Sequence, residues 1–112
     1  MRIGVIGGTE RSLMRYEDLA AAHGCRVEFH DGKMAGRGTA TLDTMVQRSD
    51  LIVIITQINS HAAVRRAQKF CRRERRPVLI VRRFGLHTFS LIVQAGLDGV
   101  HALGAHGAHV AA

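Results

Sequence analysis

The sequence has no tryptophan, one tyrosine, one proline and two cysteines among 112 residues. Without tryptophan and with a single tyrosine, it lacks the row of aromatic faces on which a single-strand nucleic-acid binder stacks bases. Cys25 and Cys71 are too few for a disulfide framework and are expected as thiols in a reducing compartment. Cys71 falls on an apolar helix stripe and Cys25 at a strand entry, so both read as small buried hydrophobes rather than metal ligands. No apolar run is long enough to span a membrane, and only a short one separates Met1-Arg2 from Thr9-Glu10-Arg11. No secretory signal is read, and the chain is expected in the cytoplasm. Acidic residues are also scarce: 9 Asp plus Glu stand against 16 Lys plus Arg, a formal charge of +7 that favours an anionic partner.

What is present is organised around the apolar run from Leu51 to Thr56, which reads as a strand buried on both faces. Ser60 then caps a helix over residues 60–74, so a Ser-His pair, Ser60-His61, stands where a central strand hands over to a helix. Before it, residues 2–8 read as a first strand turning at Gly7-Gly8 into a helix over residues 9–23, capped by Thr9 and stopped by Gly24. Residues 26–30 alternate like a second strand that ends at His30, and Asp31-Gly32 is a turn. Residues 33–41, with Gly36 and Gly38, read as a loop, followed by a short helix with Leu42, Met45 and Val46 on one face. Pro77 opens a fourth strand, residues 78–82, and a final helix covers residues 87–95. This alternation predicts an α/β fold: a four-stranded parallel sheet in the order 2-1-3-4, a flavodoxin-like or half-Rossmann three-layer sandwich. The domain is expected over residues 1–96, with residues 97–112 a flexible Gly/Ala/His-rich tail. His101, His106 and His109 in that tail would hold metal only adventitiously.

In this topology Gly7, Gly8, His30 and His61 converge at the carboxyl edge of the sheet, where open α/β sheets bind ligands. Neutral imidazoles ligate divalent transition metals, which makes His30 and His61 a candidate metal pair. Two ligands do not close a site, so Asp31 or Glu10 must join them, or a homodimer must supply a second pair. The glycine turn fits neither a dinucleotide fingerprint nor a P-loop, though an anion would be welcome there. Nine of the sixteen basic residues lie between Arg65 and Arg83. They give an alternative reading, a nucleotide or nucleic-acid binding module that uses the Gly7-Gly8 turn and the basic third helix through Arg65, Arg72 and Arg76. Ser60 lacks an orienting third residue for nucleophilic chemistry, and no acid-base pair is evident, so a binding role is expected over an enzyme.

Several short motifs occur in a specific order: Val5-Ile6-Gly7-Gly8 followed by Arg15-Tyr16, His30-Asp31-Gly32, Asp50-Leu51-Ile52-Val53, Ser60-His61 with Lys69, and Pro77-Val78 leading to Arg82-Arg83 and Phe89-Ser90. From Ile3 to about Val93 the chain resembles the bacterial family labelled domain of unknown function 2325. Members of that family often carry histidine directly after the paired glycines, where Thr9 stands here. The resemblance implies one site made by Ser60, His61 and His30 with Arg15, Lys69 and Arg83 nearby, in a small cytoplasmic homodimer. It also implies a link to iron and dioxygen: a ferrous ion on His30 and His61, with an open position for dioxygen or another small ligand, acting in oxygen or redox sensing.

Overall fold

The computed structural model describes residues 1–8, 13–57, 59–104 and 109–111. Strand β1 (Arg2–Ile6) is followed by α1 (Leu13–Ala22), β2 (Arg26–His30), α2 (Gly38–Arg48), β3 (Leu51–Ile55), α3 (His61–Glu74), β4 (Val78–Val81), α4 (Leu86–Gly104) and β5 (His109–Ala111). The first four strands are parallel in the expected order, β2-β1-β3-β4, and β5 adds an antiparallel fifth strand beside β4. Among the described residues no helix is long and apolar enough to cross a membrane.

The period of two in the central strand decides the layering. Leu51, Val53 and Ile55 join Ile3, Val5, Leu79 and Val81 on one face, under Tyr16, Leu19 and Ala20 of α1 and Phe89, Ile92 and Val93 of α4. Ile52 and Ile54 join Ile6 and Val78 on the other face, under Leu42, Met45 and Val46 of α2 and Ala63, Ala67, Phe70 and Cys71 of α3. All five residues of β3 are buried, as a strand covered by helices on both sides must be. An Arg66–Asp43 ion pair, Nη2 to Oδ2 at 2.5 Å, ties α3 to α2, and Arg48 pairs with Glu28 to tie α2 to β2.

Both cysteines are buried and free. Burial pushes the Cys71 thiol up to about 12, although Arg76 acts in the opposite direction. The thiol is therefore protonated at neutral pH and unreactive. Iodoacetamide at pH 8 is expected to leave Cys71 unmodified in the folded protein and to label it fully in guanidinium, as read by peptide mass spectrometry.

Two boundaries differ from the sequence reading. Helix α2 begins at Gly38, inside the expected loop, because the His30 ring holds the Gly38 carbonyl and the Thr41 and Thr44 hydroxyls donate back to the carbonyls of Arg37 and Ala40. Helix α4 breaks at Gly96 (φ 69°, ψ −177°), the expected end, and resumes beyond it to Gly104. The expected Thr9 cap and the candidate ligand Glu10 lie outside the described residues.

Candidate functional site

The ends of β1, β2 and β3 meet at one side chain that no periodicity marks, Asn59. Its Nδ2 donates to the carbonyls of Ile6 (3.2 Å) and Ile55 (2.8 Å), and its Oδ1 accepts from the Ser60 N–H (2.9 Å). The amide thus bridges β1 and β3 beyond the last rungs of their ladder. The glycines of the neighbouring turns are shaped around it. A Cβ on Gly7 (φ 95°) would stand 2.4 Å from Asn59 Nδ2, and one on Gly32 (φ 85°) would stand 2.2 Å from Oδ1. Only glycine leaves room for the amide, and only glycine takes those φ values without strain. The Gly7 N–H is itself committed, donating to the His30 carbonyl at 2.8 Å.

Ser60 acts in two directions. Its Oγ accepts from the Ala63 N–H at 3.0 Å, which caps α3, and donates to the Gly32 carbonyl at 2.7 Å, which fastens the cap to the β2 turn. The sequence reading of Ser60 as the cap is right, and its second bond adds a tie between β2 and β3.

His30 is 6% exposed and has no free ring nitrogen. Nδ1 accepts from the Gly32 N–H at 3.0 Å, so the proton sits on Nε2, which donates to the Gly38 carbonyl at 2.8 Å. The Asp31 carboxylate, 4.0 Å from Nδ1, faces an acceptor nitrogen and makes no ion pair. His61 is exposed, at the first position of α3.

These positions overturn the metal reading. Among the described residues no three His, Cys, Asp or Glu side chains are grouped to hold a metal ion. His30 spends both nitrogens on backbone, and His61 stands without companion ligands among the described residues, so the expectation of ferrous iron on His30 and His61 with dioxygen at an open position fails on donor availability. The histidine of β2 is a backbone clamp.

Of the other expected residues, Gly7 and Ser60 lie in the Asn59 network, and a Cβ on Gly8 would stand 2.9 Å from Ile55 Cδ1. Arg15, Lys69 and Arg83 are exposed and make no ion pair with a described residue. Lys69 lies eight residues along α3 from His61, about 12 Å down the axis, which separates it from the sheet edge. Two cavities, of about 530 Å³ beside β2 and about 410 Å³ on α2, both lie away from Asn59.

Four aromatic rings are locked together on the α1/α4 face of the sheet. Tyr16 packs on Phe29, Phe84 and Phe89 at centroid distances of 5.3, 5.7 and 5.4 Å, and its burial raises the phenol above the ordinary tyrosine value. Phe70 lies beneath Arg66 and Arg73. No aromatic face stands out from the described surface to stack a base.

A family model described as "Uncharacterized protein conserved in bacteria (DUF2325)" matches residues 2–95. A UPF0751 protein of Bacillus anthracis (strain CDC 684 / NRRL 3495) is 31% identical over 81 residues, covering 72% of this chain and 80% of that relative. A UPF0751 protein of Bacillus cereus (strain AH820) is 30% identical over the same shares, and one of Desulfitobacterium hafniense (strain DSM 10664 / DCB-2) is 26% identical over 77% of this chain and 85% of the relative. No solved structure matches.

Proposed function

The chain belongs to the bacterial family described as DUF2325, whose description states no activity, and from a row of exposed cations that pair with no described carboxylate we propose that it is a nucleic-acid-binding module of the cytoplasm. The observation that supports this most is the outer face of α3. Arg65, Lys69 and Arg72 are exposed at three- and four-residue spacing, one per helical turn, and none pairs with a described carboxylate. Exposed Arg82 and Arg83 follow β4 at the carboxyl edge, the end of the sheet where α3 begins.

An uncompensated cation row repels itself in the free protein and is relieved by a polyanion, with counterion release supplying the affinity. Phosphates are the groups such a row meets. The Gly7 turn is filled by Asn59, so the α3 face carries this reading, and the locked aromatic cluster favours backbone contacts over base stacking.

Fluorescence anisotropy of a labelled duplex tests it. With three phosphate contacts, log K is expected to fall with log salt at a slope of about −2.7, roughly a 40-fold loss of affinity between about 50 and 200 mM salt. The combined Arg65→Ala, Lys69→Ala and Arg72→Ala variant should weaken binding and flatten that slope. Absence of binding, or a slope the variant leaves unchanged, rejects the proposal.

A further inference from the structure

We propose that the outer edge of β2 pairs antiparallel with β2 of a second copy of this chain, with Val27 opposite Val27. The strand stands at one end of the sheet, with β1 as its described neighbour. Two backbone bonds fix which way its groups face. The Arg26 N–H donates to the Met1 carbonyl at 2.9 Å, and the His30 carbonyl accepts from Gly7 at 2.8 Å. Alternate residues of a parallel ladder address the same neighbour, so Arg26, Glu28 and His30 bond towards β1. The N–H and C=O groups of Val27 and Phe29 therefore point out of the sheet. The cavity of about 530 Å³ lies at the start of β1 and β2, where Glu17 and Asp18 of α1 and Arg48 of α2 also line it. An edge strand with outward N–H and C=O groups is a template for another strand.

Charge selects both the occupant and the register. Two identical edges that close on each other by a two-fold axis must run antiparallel, because only that ladder gives each strand the same bonds. Setting Val27 against Phe29 of the second copy would bring the two Glu28 side chains face to face, which like charges resist. Setting Val27 against Val27 instead places each Arg26 across from Glu28 of the other copy. Glu28 already accepts from Arg48 Nε at 2.7 Å, so the interface would carry an Arg-Glu-Arg alternation on each side of the axis. Val27 exchanges two bonds with its counterpart, and each Phe29 N–H reaches the Cys25 carbonyl opposite, about four bonds in all. The Cys25 N–H stays with Ala20 at 2.8 Å. The axis runs through the plane of the joined sheet, so both α3 helices lie on one face.

Sedimentation velocity over roughly a hundredfold range of concentration decides it. The wild type is expected to be a dimer that dissociates on dilution. Val27→Pro removes the outward N–H and leaves every bond towards β1, so it should sediment as a monomer with an unchanged far-ultraviolet circular dichroism spectrum. Glu28→Arg should weaken the dimer at least tenfold, and adding both Arg26→Glu and Arg48→Glu to it should restore the dimer by exchanging all the signs of the Arg-Glu-Arg alternation. If Val27→Pro does not fold, the charge exchange decides alone. A wild type that is monomeric at every concentration, or a Glu28→Arg variant that dimerises like the wild type, overturns the proposal.

Discussion

Replacing Asn59 by alanine is expected to destabilise the protein by about 2–3 kcal/mol, roughly 10–15 °C in melting temperature. The amide makes three bonds to backbone, to Ile6, Ile55 and Ser60, at the point where β1 and β3 leave the sheet. Each contributes about 1 kcal/mol net, and the carbonyls of Ile6 and Ile55 lose a donor. Asn59→Asp is the sharper probe, since it keeps the size of the side chain and replaces the donor with a carboxylate oxygen aimed at two carbonyls. It should be at least as destabilising as alanine. A loss under about 1 kcal/mol for both would mean that the amide decorates the edge without holding it.

Gly32→Ala extends the same test. Its Cβ would stand 2.2 Å from Asn59 Oδ1, and the residue has φ 85°, so the substitution carries both a clash and backbone strain. Removing the amide relieves the clash and leaves the strain. In a double-mutant cycle the combined variant should therefore be less destabilised than the sum of the two, by about 1 kcal/mol or more. Simple additivity would separate the turn from the amide.

The parallel order of the first four strands is readable because each signal is local: an apolar run for β3, alternation in β2, glycines after β1, a serine before α3. Ser60 could be assigned as a cap from the helix that follows it. Asn59 could not, since one polar residue in a short connection has no period, and its role exists only when three strand ends converge. Strand β5 is three residues in a stretch of Gly, Ala and His, and it gains order from pairing with β4 rather than from its own pattern. The start of α2 was hidden by Gly36 and Gly38, which read as loop, because the bond that fixes Gly38 comes from His30 eight residues away. The metal reading failed for a related reason. Sequence placed two histidines on one edge correctly, but whether an imidazole has a nitrogen to give depends on backbone groups that no spacing reveals.

That dependence yields the second large effect, at His30. The ring joins the end of β2 to the turn at Gly32 and to the start of α2 at Gly38. His30→Leu keeps the apolar volume and removes both bonds, stranding a Gly32 N–H and a Gly38 carbonyl in a nearly buried place, at a cost of about 2–3 kcal/mol. Because both lost partners belong to residues 31–38 and the first turn of α2, the effect should be regional. Amide hydrogen exchange is expected to speed up tenfold or more in the amides from Gly32 through the first turn of α2, while β1 and β3 change only by the loss of global stability. His30→Gln, which has a donor and an acceptor, should recover part of the protection. The same geometry predicts how the wild type meets metal: an ion at His30 must displace the Gly32 N–H from Nδ1 or the Gly38 carbonyl from Nε2. Added ferrous or zinc ion should then leave the exchange pattern of residues 31–48 as it was. Slower exchange there on adding metal, lost in His30→Gln, would show that the clamp opens to serve as a ligand.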